Sequence, residues 1–245
     1  PAMTIPPRKT LDRALVWFRR DLRVADHPAL AHALRDARAV WCVFVLDRAI
    51  LDALPAHDRR VAFIRASLAA LDARLAALGG HGVRLLVRHA DAADEIPRLA
   101  AALDAGAVYA HHDDDPAALA RDARVRARLH AAGRALHTFK DHVIFERREI
   151  LTGAGTAYGV FTPYTHAWLK ALHERPGLLA DCASDADGSA LASAPASPWR
   201  GGAAVPALDE FGFAGGAAPA PDDPGLRPGT AGGESLLDEF LERLD

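Results

Sequence analysis

Three short stretches of this 245-residue chain gather the residue types that bind or react. Residues 19–27 read RRDLRVADH, placing Arg19, Arg20, Asp21, Arg23, Asp26 and His27 directly behind the apolar run Ala14–Phe18. Residues 111–115 read HHDDD, and residues 153–159 read GAGTAYG. HHDDD has the ligand types of a metal site. Five successive residues at a strand end cannot all face one ion, however, and no matching ligand spacing occurs elsewhere. Metal is therefore not expected, and Asp115 reads better as the cap of a following helix. GAGTAYG lacks the GxGxxG order and does not stand between the first strand and its helix, so it predicts a tight turn or hairpin rather than a phosphate cradle. No GxSxG elbow, Walker loop or legible Cys–His arrangement is present. The arginine-rich stretch keeps two readings: a solvated loop, or guanidinium groups set to meet a carboxylate or a flat ring.

The elements that must carry these residues follow from hydrophobic periodicity. Apolar runs at Ala14–Phe18, Ala39–Leu46, Val83–Val87, Ala107–Ala110 and Ala135–Phe139 predict five strands. Between them Val61, Ile64, Leu68, Leu71, Leu75 and Leu78 recur at steps of three and four, one stripe along a long helix closed by Gly79-Gly80. Pro28–Ala37, Ala93–Leu103 and Ala117–Ala132 predict further helices, with Asp26 and Asp115 as N-caps and Pro28 and Pro116 in first turns. This alternation predicts an α/β fold, a Rossmann-like, doubly wound, five-stranded parallel sheet with helices on both faces. Such sheets bind ligands beyond the carboxyl ends of their strands. Arg19–Asp21 follow the first strand there, Asp47-Arg48 the second and His111–Asp115 the fourth. Trp17 and Trp41 fall within strands and are expected in the core. Alternation past Phe18 puts Arg19, Asp21 and Arg23 on one side and Arg20 on the other, with Asp21 held by hydrogen bonds in the turn.

From about Pro176 to Gly232, Ala, Gly, Pro, Ser and Asp dominate. That is the composition of a long interdomain linker, which Trp199, Leu208, Phe211 and Phe213 could pin back as a strap. A last helix is expected from Gly233, with Leu236, Leu237, Phe240, Leu241 and Leu244 on one face and nothing to pack on. The expected division is a domain over 14–175, a linker over 176–232 and the first helix of a truncated second domain over 233–245. The chain is 50% hydrophobic and 25% charged, the balance of a soluble globular protein, and its net charge of −3 gives no general attraction to nucleic acid. Cys42 and Cys182 form no CxxC pair, and Cys42 sits inside an apolar run as a small core residue. No apolar run approaches the ~20 residues of a membrane span, and no signal-peptide stretch opens the chain. A cytoplasmic monomer without membrane contact is expected.

LVWFRRDLRVADHPAL, residues 15–30, resembles the opening of the DNA photolyase/cryptochrome family, whose first strand and turn read W-[FH]-R-x-D-L-R-x-x-D-[NH]. Trp17, Phe18, Arg19, Asp21, Leu22, Arg23, Asp26 and His27 fill that pattern. TGAGTAYGVFTPYTHAWLK, residues 152–170, is similar to the family's T-G-x-G-x-x-Y-x-V-[FY]-T-P-[FY] segment, and GGE at 232–234 to the start of its second domain. The resemblance implies the N-terminal antenna domain of a bacterial deoxyribodipyrimidine photolyase, a carbon–carbon lyase. In such enzymes photoexcited, reduced FAD in a helical C-terminal domain donates an electron to a flipped-out pyrimidine dimer. On that resemblance FAD and damaged DNA belong to the helical domain, no catalytic residue lies in this chain, and the fragment alone is inactive and binds little DNA.

The resemblance also bears on the antenna. Folate-using members carry an Asn-Glu pair after the fourth strand, where this chain has Ala117 and Ala118. A deazaflavin- or flavin-like antenna is implied instead. Its surroundings in the family are similar to FVLDRAIL (residues 44–51) and HHDDDP, which implies that Arg20, Phe44, Leu46, Asp47, Asp113 and Asp115 border the ligand. Phe44 and Leu46 would supply an apolar wall, Asp113 and Asp115 acceptors, and Arg20 a stacking or carboxylate-pairing group. Asp115 stands where that subgroup has a longer Glu, and Ala110 where it has a bulkier residue, implying a roomier pocket. Two rivals share much of this pattern. One is a cryptochrome photoreceptor; the other is a nucleotide-binding α/β module resembling electron-transfer flavoprotein subunits, which would bind a mononucleotide tightly.

Overall fold

The computed structural model describes residues 9–80, 82–179, 187–193, 205–214 and 227–244. Strand β1 (Leu11–Phe18) sets the plan, because its buried side chains divide between two cores. Ala14, Val16 and Phe18 join one cluster, Leu15 and Trp17 the other. Both faces of β1 are thus covered, as a central parallel strand requires. The other strands are β2 (Ala37–Asp47), β3 (Leu86–Ala90), β4 (Ala107–His111) and β5 (Ala135–Phe139), in the spatial order β3-β2-β1-β4-β5. Every pairing is parallel.

Helices α1 (Pro28–Asp36) and α3 (Arg59–Gly79) cover one face, burying Leu30 and Ala33 from α1 and Val61, Leu68, Leu71 and Leu75 from α3. Helices α4 (Ala92–Ala102) and α5 (Pro116–Ala131) cover the other, burying Ile96 and Leu99 from α4 and Val125 and Leu129 from α5. The short α2 (Arg48–Leu51) leaves the end of β2, and α6 (Phe161–Glu174) follows β5. Pro97 interrupts α4 and cannot donate to the Ala93 carbonyl one turn back. Arg128 of α5 donates to that carbonyl instead, at 2.9 Å. This is the doubly wound five-stranded sheet expected from the sequence, with its order reversing between β1 and β4.

Several local expectations need correction. The cap of α1 is His27 and not Asp26: His27 Nδ1 accepts the Leu30 N–H at 3.0 Å, while Asp26 takes a left-handed turn at φ 47°. Strand β3 begins at Leu86, three residues past the expected Val83. Asp72 on α3 accepts the Leu85 N–H at 2.8 Å and pairs with the Arg84 guanidinium, which ties residues 84 and 85 to the helix. Val83 bridges to Ser193 instead. GAGTAYG, by contrast, forms the tight turn that was expected, with Thr152 N–H donating to the Thr156 carbonyl and Gly155 in the left-handed region at φ 74°.

The described parts of the expected linker lie on the domain as a strap. Val40 N–H donates to the Ala190 carbonyl and Ala192 N–H to the Val40 carbonyl, both at 2.8 Å. The Trp41 indole N–H reaches the Ser193 carbonyl at 3.1 Å, so Trp41 is half-buried under the strap rather than in the core. Leu191, Val205, Phe211 and Phe213 are buried in the α1/α3 cluster, with Leu208 packed against it. Trp199 and Cys182 lie outside the described residues. Helix α7 (Gly229–Leu241) starts four residues earlier than expected and packs on α3, its Gly229 N–H donating to Ser67 Oγ at 3.1 Å. Leu237, Phe240, Leu241 and Leu244 nevertheless stay more than half exposed. Among the described residues no helix is long and apolar enough to cross a membrane.

Candidate functional site

In an open α/β sheet the crevice for a ligand opens where the strand order reverses, beyond the carboxyl ends of the strands. Here that point lies between β1 and β4, and a cleft of about 630 Å³ opens there. That volume falls within the range of small-molecule and cofactor sites. The structure brings all six residues singled out in the sequence to it: Arg20 behind β1, Phe44, Leu46 and Asp47 at the end of β2, and Asp113 and Asp115 behind β4. Ile50, Leu51 and Ile64 extend the apolar wall, and Ala117 and Ala118 present only methyl groups from the first turn of α5.

The polar groups of the cleft are held in place by local geometry. Arg20 Nε lies 3.2 Å from Asp113 Oδ2, with most of the Arg20 side chain in solvent and Asp113 nearly covered. Asp47 is buried, and its Oδ1 accepts the Ala49 N–H at 3.2 Å and the Ala92 N–H at 3.4 Å, joining the starts of α2 and α4. Asp115 Oδ1 caps α5, accepting from Ala117 at 2.9 Å and Ala118 at 3.3 Å. Each carboxylate thus has one oxygen tied to the backbone and a second turned elsewhere.

Sequence reasoning missed part of this site. Trp17, expected only in the core, also lines the cleft, with the guanidinium carbons of Arg19 and Arg121 at 4.8 and 4.9 Å from its ring centroid. Arg19 donates to both oxygens of Asp122, at 2.9 and 2.7 Å, and to the His111 carbonyl. Its side chain therefore reaches the cleft along with that of Arg20. The expected alternation fails because β1 ends at Phe18 and the backbone beyond is no longer extended. Arg121 and Arg124 line the cleft from α5. Their signal was the spacing of Arg121, Arg124 and Arg128, which draws one basic stripe along that helix.

The HHDDD run disperses, as five successive residues must. Asp113 faces Arg20, Asp114 pairs with Arg147, Asp115 caps α5, and His112 Nδ1 meets Glu146 at 2.7 Å. His111 alone turns inward. There it joins Asp21 and His27, three buried residues whose ligand atoms all lie within 4.8 Å of one another. His27 Nε2 stands 2.9 Å from Asp21 Oδ2, and His111 Nδ1 faces the same oxygen.

Hydrogen positions decide what this trio can do. His27 Nδ1 accepts from Leu30 N–H, and His111 Nε2 accepts from Ala29 N–H at 3.1 Å. A ring that accepts on one nitrogen carries its hydrogen on the other. Both rings therefore turn N–H groups toward Asp21, whereas a histidine ligand keeps its hydrogen on the side away from the metal. The arrangement sets two imidazole N–H groups against one buried carboxylate oxygen, not the lone pairs that a cation needs. Asp21 Oδ1 completes it by accepting the Arg19 N–H at 2.7 Å. Burial alone would raise the Asp21 carboxyl, but the hydrogen bonds from His111 and His27 hold it well below the usual range. Burial lowers His27, which its contact with Asp21 only partly offsets. Asp21 is thus held within its own turn by the Arg19 N–H, as expected, and His111 of β4 closes on its other oxygen from outside the turn.

Fold and cleft together define a doubly wound α/β domain whose crevice has an apolar wall and a rim of paired charges. Residues 14–181 match the family described as DNA photolyase, and the chain belongs to that family, with the α/β sheet of its N-terminal domain. The deoxyribodipyrimidine photo-lyase of Halobacterium salinarum is 38% identical over 240 residues, covering 94% of this chain and 46% of that protein. The Streptomyces griseus enzyme of the same name is 39% identical over 157 residues, 63% of this chain and 34% of that one. Cryptochrome-1 of Arabidopsis thaliana is 33% identical over 62% of this chain and 22% of its own length. A crystal structure of a bacterial class III photolyase from Agrobacterium tumefaciens superposes with a TM-score of 0.72, covering 98% of this chain and 46% of that one; at 23% identity it supports the fold. The chain spans about half the length of the curated relatives it matches, or less.

Proposed function

We propose that this chain is the antenna-bearing α/β portion of a deoxyribodipyrimidine photolyase, and that its cleft holds a deazaflavin- or flavin-like chromophore. The observation that carries the proposal is the convergence of Arg20, Phe44, Leu46, Asp47, Asp113 and Asp115 on one cleft at the β1/β4 reversal. Phe44, Leu46 and Ile50 give a planar ring an apolar surface. The second oxygen of Asp115, turned away from the α5 backbone, accepts from ring or tail donors. Arg20, largely in solvent, closes over the ring edge. Ala117 and Ala118 offer no polar group to a folate, which supports the flavin-like choice.

The division that goes with this reading is an antenna domain over 14–175, an interdomain linker over 176–232 and the start of a helical domain from 233, the helix itself beginning at Gly229. FAD and damaged DNA are assigned to the remainder of the parent protein, where photoexcited reduced FAD supplies the electron that splits the dimer. The parent acts on DNA as a cytoplasmic monomer, and the α/β portion alone neither repairs dimers nor docks strongly on DNA. The photolyase reading is preferred to a cryptochrome because the Halobacterium photo-lyase aligns with 94% of the chain, against 62% for the plant cryptochrome.

Flavin titration tests the cleft. Riboflavin fluorescence should shift with one-to-one stoichiometry on adding the chain. Ala118→Trp, which fills the cleft from α5, should abolish that shift while leaving the far-ultraviolet circular dichroism unchanged. An unaltered titration in the filled variant would place the ligand elsewhere. Illuminating dimer-containing DNA with the chain plus FAD should restore no bases, and measurable repair would overturn the division of labour.

A further inference from the structure

Two cations stand over one aromatic ring in the cleft. Trp17 lines it although only 2% of the residue is exposed. The guanidinium carbons of Arg19 and Arg121 lie 4.8 and 4.9 Å from its ring centroid. Both side chains are nearly covered and fixed. Arg19 donates to both oxygens of Asp122 and to the His111 carbonyl. Arg121 donates from Nε and Nη2 to Asp122 Oδ1, at 3.1 and 3.0 Å. A single carboxylate on α5 therefore clamps two guanidinium groups, one from behind β1 and one from its own helix, onto the same indole.

The clamp has an electronic consequence for the ring. An indole attracts cations through its electron-rich face, and that attraction turns to repulsion once an electron leaves the ring. Oxidising Trp17 would set a radical cation beside both guanidinium groups. Asp122 carries one negative charge against their two. The next carboxylate, Asp47, stands 3.9 Å from Arg121, and it already accepts from the Ala49 and Ala92 N–H groups, which take up part of its charge. With water largely excluded from these side chains, the repulsion is weakly screened.

That matters where light is absorbed. A tryptophan beside an excited isoalloxazine-type ring ordinarily quenches it: one electron passes from the indole to the excited ring, then returns, and the energy is lost as heat. Of the two aromatic residues lining the cleft, Trp17 and Phe44, the indole is by far the easier to oxidise. Resting on the flavin-like reading above, we infer that Arg19 and Arg121 make Trp17 a poor electron donor and so preserve the excited state of the ring bound beside it. In the step they suppress, Trp17 is oxidised to its radical cation and the excited ring is reduced by one electron; no bond breaks and no proton moves. Trp17 then gives the cleft the contact area of an indole without its quenching. Asp122 is a positioning residue, since it acts through the two arginines.

The test uses the full chain saturated with riboflavin at pH 7, read by time-resolved fluorescence and transient absorption. In the unaltered chain the bound ring should keep most of its free lifetime, and no indole radical cation should appear on illumination. Arg121→Gln, which removes one cation, should shorten the lifetime about fivefold, part of the effect of one unit charge at this distance, and should bring up the radical-cation absorption. Arg121→Lys, which returns the charge, should restore most of the lifetime. Adding Trp17→Phe to Arg121→Gln should restore it too, because the donor is gone. Strong quenching in the unaltered chain overturns the inference, as does an Arg121→Gln lifetime equal to the unaltered one or a shortening that survives Trp17→Phe. In each of these cases the flavin-type cleft stands, because binding is read separately by fluorescence anisotropy. Failure of riboflavin to bind the unaltered chain removes the chromophore reading itself, and this inference with it.

Discussion

At the scale of single residues, Asp21 is the most constrained group in the arginine-rich turn. Its side chain is covered and surrounded by donors from Arg19, His27 and His111. Removing the carboxylate strands those donors inside the protein. Asp21→Ala should therefore cost about 3 kcal/mol in urea unfolding, whereas Arg20→Ala, at a largely solvated position, should change stability by less than about 0.5 kcal/mol. Equal losses would reduce the turn to a solvated loop. The same cluster sets the response to acid. Because the folded value of His27 is lowered, its contribution is complete above the ordinary histidine value of about 6.5 and is lost as pH falls below it. Asp21, depressed in the fold, contributes fully above the usual carboxylate range and loses that contribution only at lower pH, as its own folded value is passed. The urea midpoint should thus already fall between pH 7 and pH 5. His27→Asn, which retains an acceptor for Leu30, should flatten that fall, and an unchanged slope would assign it to other groups. Little of this cluster could be read from the sequence, since His111 is far from Asp21 along the chain and histidine is not a preferred N-cap.

At the scale of elements, the strands were legible because a parallel strand buried on both faces is a continuous apolar run, as in Val43–Leu46. Helix α3 was legible from its stripe. What periodicity could not convey was the junction between them. Asp72 moves the start of β3 by pairing across a turn, and residues 188–193 take the foot of β2 that a sixth strand would otherwise seek. The strap fits closely there: a Cβ on Gly188 would run into the Leu78 carbonyl at the end of α3. Gly188→Ala should cost about 1–3 kcal/mol, the range for overfilling a packed contact. Hydrogen exchange should quicken at the Ala192 amide, which bonds to Val40, while the Val108 amide within β4 stays protected. Uniform acceleration across the sheet would mean that the strap and sheet open as one unit.

At the scale of the whole molecule, charge and apolar surface are distributed unevenly. The chain carries 29 Lys and Arg against 32 Asp and Glu, and each arginine of the cleft faces a carboxylate, Arg19 and Arg121 sharing Asp122. Nucleic-acid affinity depends on unmatched cations releasing counterions. Duplex DNA should therefore bind with a dissociation constant weaker than about 1 μM at physiological salt, as measured by fluorescence anisotropy. A tighter, salt-steep association would reveal a basic surface outside the cleft. Exposed apolar side chains recur on α6, with Phe161 and Leu169, and on α7, with Leu237, Phe240 and Leu241. The site follows the same logic of scale. Its strand-end residues were readable one by one, but the pairing of Arg19 with Asp122 becomes visible only when β1 and α5 are brought together.

The strap also imposes a timetable on synthesis. The five strands have all left the ribosome once Phe139 is clear, yet the side of the foot of β2 that faces away from β1 stays unpaired until Ala190 and Ala192 emerge, and Phe211 and Phe213 come later still. At roughly 5–20 residues per second, that interval lasts several seconds. During it the nascent sheet carries an open edge and an uncovered apolar face, the surfaces that chaperones protect. A ribosome paused between these points would hold a domain that has its full sheet but has not yet closed.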